Sequence, residues 1–281
     1  MNNISVNGKI LSDLKPALLV SNRGYRYGDG LFETMKVSAG KIILESLHFE
    51  RLFNSLEIMK FKIPRLFTVE KIRNEILTLA SKNRCSQLAR VRLSVFRGHG
   101  GLYENDKEKE PQYVLECWPL NESVNSLNEN GFVIDIYPIA RKSTDTFSNL
   151  KTANFLPYAM AALYAKENKL NECLVFNTAG NIADATIANI FIVKNGTILT
   201  PALSEGCVNG VLRKYLINEL NQANQDVKES TLTENDIKNA DEIFLTNAIN
   251  GIRWVKQFRD KIYSNTQTIE IYDRFIKGLN K

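Results

Sequence analysis

The stretch Asn149-Leu150-Lys151-Thr152-Ala153-Asn154-Phe155-Leu156 decides how the rest of the chain is read. A lone lysine is ordinarily a solvated surface charge. This one stands between a strand-like run and an apolar, helix-like run, where burying a charge is expensive. A desolvated amine gives up its proton more readily and becomes a nucleophile. Schiff-base chemistry with a carbonyl compound is therefore the hypothesis against which the flanking sequence is set.

C-terminal to Lys151, the Ala-rich apolar run over residues 155–166 predicts a helix, and 172–176 and 188–194 predict strands. Asn195-Gly196 turns the chain into Thr197-Ile198-Leu199. Leu212, Tyr215, Leu216 and Leu220 repeat at helical spacing over 211–223. Thr233 with Asp236 is a capping-box-like helix start. A strand follows over 242–246, and a last helix begins near Thr266. On the N-terminal side, 132–136 reads as a strand and the polar run 119–130 as a linker. Ile4 and Val6, Asn7-Gly8 and Ile10 read as a hairpin. Leu31–Val37 turns through Ser38-Ala39-Gly40 into a second one. Leu47, Leu52, Leu56 and Met59 share a helical face, and Thr68 caps a helix through about Lys82. Residues 89–96 and 112–118 are strand-like. Strands and helices mix without strict alternation. That predicts two α+β domains, residues 1–118 and a larger 131–281, joined by 119–130.

The chain has 281 residues, 44% hydrophobic and 24% charged, with a net charge of +5 and two histidines, His48 and His99. This is a globular composition. The charge is spread out, and the densest run, 105–110, is of mixed sign, so no nucleic-acid footprint is expected. No apolar run reaches membrane-spanning length, and residues 1–6 have no signal-peptide pattern. Four scattered cysteines predict reduced thiols in a cytoplasmic protein. Two histidines do not make a His-rich metal site, and no metal is expected.

Several segments carry candidate chemistry. His48-Phe49-Glu50-Arg51-Leu52 places a guanidinium, a planar fork of donors suited to phosphate, on a helix. His48, one turn earlier, reads either as a buried structural histidine or as a catalytic one. Gly206-Cys207-Val208-Asn209-Gly210-Val211-Leu212-Arg213 opens a helix whose first amides suit an anion. Asp184, in Gly180-Asn181-Ile182-Ala183-Asp184, reads either as a turn residue or as an acidic partner for a bound group. Leu245-Thr246-Asn247-Ala248-Ile249 ends a strand with hydroxyl and amide groups. Tyr25-Arg26-Tyr27-Gly28-Asp29-Gly30 precedes the strand carrying Thr34. Arg97-Gly98-His99-Gly100-Gly101-Leu102-Tyr103 reads as a hairpin end or as a lid.

Taken together, from about Asn7 to Val255, these segments resemble the class IV, fold type IV pyridoxal-phosphate enzymes. That family includes branched-chain and D-amino acid aminotransferases and 4-amino-4-deoxychorismate lyase. The resemblance implies a two-domain α+β fold like that of D-amino acid aminotransferase, with pyridoxal 5′-phosphate as cofactor. It implies Lys151 as the Schiff-base lysine and Asp184, where the family usually has Glu, opposite the pyridine nitrogen. Arg51, the amides of Val211 and Leu212, and Thr246, Asn247 and Ala248 would hold the cofactor. Thr34 would act with Lys151 in catalysis, and Tyr27 and Arg97 would meet the substrate. A homodimer acting on a small amine or amino-acid-like molecule is implied, without nucleic acid or membrane partners. Within the family, Asn154 three residues after Lys151, and Phe155 where branched-chain enzymes place a cofactor-contacting Tyr, resemble D-amino acid aminotransferases and lyases. The 208–213 and 246–248 loops resemble the lyases more, although Leu102 stands where many lyase-like members have Arg. The implied activity is release of pyruvate and 4-aminobenzoate from 4-amino-4-deoxychorismate in folate synthesis. The alternatives are a D- or branched-chain amino acid aminotransferase and an inactive cofactor-binding homologue.

Overall fold

The computed structural model describes residues 2–103 and 110–279, so that only Glu110 of the mixed-charge run lies within the described residues. The chain divides into two compact units. The first runs through Glu122 and includes Lys151–Asn154; the second comprises Ser123–Leu150 and Phe155–Leu279. None of the described helices is long and apolar enough to cross a membrane.

The first unit contains β1 (Asn3–Val6), β2 (Lys9–Ser12), α1 (Arg23–Tyr27), β3 (Gly30–Ser38), β4 (Lys41–Ile42), α2 (Glu45–Ile58), α3 (Val69–Lys82), β5 (Leu88–Arg97) and β6 (Pro111–Pro119). Its strands form one antiparallel sheet in the order β2-β1-β6-β5-β3-β4. The Asn7-Gly8 turn has both residues at positive φ, 50° and 86°, as a tight two-residue hairpin requires. Thr68 caps α3 by accepting from the Lys71 amide. Alternation sorts β3 and β5 into two faces. Leu31, Met35 and Val37 of β3 and Val91, Leu93 and Val95 of β5 pack with Leu52, Leu56, Ile72, Ile76 and Leu79 of α2 and α3. Phe32 and Thr34 of β3, with Arg92 and Ser94 of β5, have the opposite parity and lie on the other face. Buried Cys85 and Cys117 bring their sulfurs to 3.3 Å inside this core.

The second unit contains β7 (Phe132–Lys142), α4 (Leu156–Glu167), β8 (Glu172–Asn177), β9 (Ile182–Ala185), β10 (Asn189–Lys194), β11 (Thr197–Pro201), α5 (Val211–Gln222), β12 (Val227–Ser230), α6 (Glu234–Lys238), β13 (Glu242–Asn247), β14 (Gly251–Phe258), β15 (Lys261–Ile262) and α7 (Thr266–Ile271), which runs on into a π-helical turn. The sheet order is β12-β11-β10-β13-β14-β7-β8-β9, with β15 beside β14. Pairs β11–β12, β14–β7 and β7–β8 are parallel. Tyr158, Ala161 and Ala165 of α4 pack on Tyr137, Cys173 and Val175 of β7 and β8. The other face is a core of Ile134, Leu174, Ile190, Ile243 and Val255.

Of the run 119–130, which reads as a linker, the part from Ser123 on belongs to the second unit and hydrogen-bonds to β14. The Asn128 side chain donates to the Trp254 carbonyl at 3.0 Å and accepts from its amide at 2.9 Å. Arg253 donates to the Ser126 carbonyl at 2.7 Å. A polar run need not be solvated when its amides meet a strand edge. Strands β9, β12, β14 and β15 and helix α1 had no counterpart in the sequence reading.

Candidate active site

In the first unit, Lys151–Asn154 lies along the start of β3. The Phe32 amide donates to the Lys151 carbonyl, and the Ala153 amide to that of Gly30, both at 2.9 Å. This pairs the lysine backbone with the edge of β3, through an antiparallel bridge between Leu31 and Thr152. Lys151 Nζ lies 4.6 Å from the Phe32 ring centroid, and the Arg92 guanidinium carbon lies 3.8 Å from the same centroid. Two cations on one ring exploit its quadrupole. Arg92 also donates to Ser94 Oγ at 3.1 Å. Burial pushes the Arg92 pKa below its ordinary value, against the pull of Glu116. Phe32, Arg92, Ser94, Tyr25, Glu116 and Ala153 are among the residues lining a cavity of about 450 Å³. Thr34 is half-buried and opposes Arg92 in register.

Glu33 sits on the opposite, apolar face, 1% exposed. A carboxylate there demands partners, and α2 supplies them. Arg51 Nε and Nη2 reach Glu33 Oε1 and Oε2 at 2.7 and 2.5 Å, and His48 Nδ1 lies 2.7 Å from Oε2. Burial opposes ionisation of Glu33, but the Arg51 charge and the bond from His48 outweigh it and bring the pKa down to about 2. An ionised carboxylate only accepts, so His48 Nδ1 carries the proton and donates. Burial lowers the His48 pKa, which Glu33 partly offsets and the Arg51 and Lys151 charges lower further. Neutral His48 therefore presents an Nε2 lone pair, buried and without a partner among the described residues.

In the second unit, Asp184 is not in a turn. It is a buried residue of β9, paired in register with Val175 on the α4 side of the sheet. Its Oδ2 accepts from Tyr158 Oη at 2.8 Å, from the Val208 amide at 2.8 Å and from Lys142 Nζ at 3.3 Å; its Oδ1 accepts from Asn189 Nδ2 at 2.8 Å. Asn189 also donates to the Val208 carbonyl at 2.8 Å. It thereby ties the carboxylate to the loop that opens α5. Gly210 caps that helix without a side-chain bond. A Cβ there would stand 1.9 Å from Asn189 Oδ1, so the close approach requires glycine. The first amides of α5, those of Val211 and Leu212, have no intrahelical acceptor. Helix α5 packs against β13. At the end of β13, Thr246 Oγ1 is buried without a partner among the described residues.

The remaining expected site residues are placed as follows. Arg97 Nε bonds Asp29, and its Nη1 and Nη2 donate to the carbonyls of Lys60 and Met59. It shares strand parity with Val91, Leu93 and Val95, and Arg92 rather than Arg97 lines the cavity. Tyr27 is partly exposed, with Arg23 over its ring. The 97–101 loop is held to residues 21–23, including a bond from Arg23 to the Gly101 carbonyl. The Asn247 side chain accepts from the amides of Ile249 and Asn250, which closes the turn that includes Ala248. The sequence reading passed over Glu33, Arg92, Lys142 and Tyr158. Glu33 and Arg92 were recoverable from strand parity; Lys142 and Tyr158 meet Asp184 only through long-range packing.

The model of the class IV amino-transferase family matches residues 30–258. The chain belongs to that family. A Methanocaldococcus jannaschii protein provisionally named a branched-chain-amino-acid aminotransferase is 28% identical over 270 residues, which is 95% of this chain and 92% of that protein. The aminodeoxychorismate lyase of Bacillus subtilis is 26% identical over 253 residues, covering 88% and 83%. The fold matches that of the branched-chain aminotransferase from Thermoproteus uzoniensis, with TM-score 0.85, 20% identity and coverage of 100% and 96%. It also matches 4-amino-4-deoxychorismate lyase from Pseudomonas aeruginosa, with TM-score 0.83, 23% identity and coverage of 99% and 100%. Aminotransferases and lyases of this class alike depend on pyridoxal 5′-phosphate.

The residues fit that cofactor. The Thr246 hydroxyl, without a partner among the described residues, the side-chain-free cap at Gly210 and the opening amides of α5 would suit an anion in the second unit. Asp184, already anchored, would offer an acceptor to a ring N–H in the same unit.

Proposed function

We propose that this enzyme converts 4-amino-4-deoxychorismate to 4-aminobenzoate and pyruvate. The observation that separates this reading from a branched-chain aminotransferase is the packing of Asn154 against Gly28. A Cβ at Gly28 would come within 2.3 Å of Asn154 Oδ1, so the K-x-x-N spacing and the Gly-Asp-Gly segment form one unit of structure. Both features resemble the lyases and the D-amino acid aminotransferases. The loops at 208–213 and 246–248 lean to the lyases.

When bound through Lys151, the cofactor would withdraw electrons from the carbon bearing the substrate amine. In the second unit, Asp184 would accept from the ring nitrogen, and the opening amides of α5 with Thr246 would hold the phosphate. Arg51, paired to Glu33, adds positive charge on the first unit. The reaction needs no water or oxidant: one carbon–oxygen bond breaks, a proton leaves the amine-bearing carbon, and a proton reaches the departing three-carbon fragment. Lys151 Nζ takes the first proton. Thr34, on the Phe32 face, offers a hydroxyl for the second transfer. Arg92 on the cavity wall suits a substrate carboxylate.

A D- or branched-chain amino acid aminotransferase is the second reading, favoured by the relative at 28% identity. In that reading Lys151 would hand on the proton it takes from the amine-bearing carbon, and the cavity would take a 2-oxo acid. Purified protein given aminodeoxychorismate should release 4-aminobenzoate and pyruvate in equal amounts. Amino transfer to 2-oxoglutarate without that release would refute the lyase reading. Lys151→Ala should abolish either activity and stop borohydride from fixing the cofactor to the chain.

A further inference from the structure

Asp184 has one methylene fewer than the Glu usual at its position, and its surroundings are correspondingly crowded. Its Oδ2 receives three donors from three parts of the second unit: Lys142 at the end of β7, Tyr158 on α4 and the Val208 amide before α5. Its Oδ1 receives Asn189 alone among the described residues. A carboxylate offers about four lone-pair directions. Oδ2 is filled, and Oδ1 keeps one direction open.

We propose that Tyr158 and Lys142 are positioning residues that pin Asp184 Oδ2, leave Oδ1 to the cofactor ring nitrogen, and make that nitrogen hold its proton less tightly than an unencumbered carboxylate would. This rests on the reading above, in which Asp184 faces the ring nitrogen. The Tyr158 hydroxyl and the Lys142 ammonium both draw electron density from the carboxylate. The ammonium also repels a protonated ring directly. Tyr158 stays a donor: burial, then the Asp184 charge, raises its pKa well above the ordinary value. The third titratable group facing Asp184 is Cys207, on the loop before α5. Its thiol is pushed up to about 12, by burial first and Asp184 second, so it stays neutral. Arg213 and Glu229, also sensed by Cys207, pair with each other. The balance at Asp184 is thus set by Lys142 and Tyr158. The consequence is a ring that withdraws electrons less strongly, with its protonation tuned by two side chains that do not touch it.

The test is nitrogen NMR of the holoenzyme loaded with ring-¹⁵N pyridoxal phosphate, which reads the proton on that nitrogen as pH is varied. Tyr158→Phe keeps the ring packing and removes one donor; Lys142→Met removes a charge, and Lys142→Arg restores it. Each removal should raise the proton affinity of the ring nitrogen by about tenfold, a shift of about one pH unit, and Lys142→Arg should return it toward wild type. Asp184→Asn should deprotonate the ring. Unchanged titration in both Tyr158→Phe and Lys142→Met, with Asp184→Asn still deprotonating the ring, overturns the proposal and leaves the cofactor reading standing. A ring nitrogen indifferent to Asp184→Asn, or no uptake of labelled cofactor, overturns the cofactor reading and this proposal with it.

Discussion

Replacing Glu33 with Gln should destabilise the protein by about 3 kcal/mol at neutral pH, and the loss should shrink with acid. Burial alone would keep Glu33 protonated. Arg51 and His48 reverse this and bring its pKa from 4.5 to about 2. At about 1.4 kcal/mol for each tenfold change in proton affinity, the ionised form gains about 3 kcal/mol from folding. A second route gives a similar size. The neutral amide leaves the Arg51 guanidinium, 12% exposed, without its counter-charge. Breaking a buried pair from one side costs about 3–5 kcal/mol, and the residual exposure favours the low end.

The sign follows from linkage. The folded pKa of Glu33 lies below the unfolded one, so its contribution is complete above pH 4.5 and lost as pH falls toward 2. Near pH 3 the wild-type advantage should be down to about 1 kcal/mol. His48 erodes stability in the same direction but earlier. Its folded pKa is lowered, chiefly by burial, so wild type starts to weaken as pH drops below 6.5. Urea unfolding of wild type and Glu33→Gln, followed by circular dichroism at pH 7, 5 and about 3, measures both windows. A Glu33→Gln protein as stable as wild type at pH 7, or a gap of constant size from pH 7 to 3, would refute the reasoning.

Two further substitutions probe the second unit. Thr246→Val removes a buried hydroxyl that has no partner. The cofactor-free protein should gain up to about 1 kcal/mol in thermal unfolding, whereas affinity for pyridoxal phosphate should fall about tenfold in a spectroscopic titration. A loss in both would contradict an orphan kept for a ligand. Gly210→Ala drives a Cβ into Asn189 Oδ1, which displaces a side chain bonded to Asp184 and Val208 and should cost about 2 kcal/mol. Asn189→Ala has the same bonds to lose, so the double variant should be less destabilised than the two single losses added together; strict additivity would mean the two residues do not meet.

Local signals predicted local structure well. Asn7-Gly8 and Thr68 each sit where their turn or cap chemistry requires, because the responsible atoms lie within a few residues. Strand parity carried more than was taken from it. Glu33 falls in step with Leu31, Met35 and Val37, and a charge at an apolar position had to find Arg51 or a similar partner. The same parity sends Arg97 away from the face that Arg92 occupies. Asp184 was of another kind. Beside a Gly-Asn turn its carboxylate reads either as a turn residue or as the partner of a bound group, and neither reading places it on a strand. It is a strand residue only because Lys142, 42 positions earlier, and Tyr158, 26 earlier, supply donors inside the core. No window of sequence contains that set. Helix α1, at five residues, is too short for periodicity to register.

The pattern of satisfied and unsatisfied groups says more about binding than either alone. Glu33 and Asp184 are buried and held by several donors each, so neither has to reorganise when a ligand arrives; that is the condition under which fixed groups act most strongly. An orphaned atom alone proves little: Ser5 Oγ and Ser230 Oγ are also buried and unpartnered among the described residues, and they lie on strands that carry no candidate chemistry. Thr246 differs because its strand packs against the helix whose cap has no side chain. A missing partner and a surplus of donors in one unit point to the same acceptor. A phosphate satisfies both. A neutral ligand would satisfy the Thr246 hydroxyl and leave the α5 amides wanting, which is why inorganic phosphate should compete with pyridoxal phosphate for the second unit while pyridoxal, lacking the phosphate, should bind far more weakly.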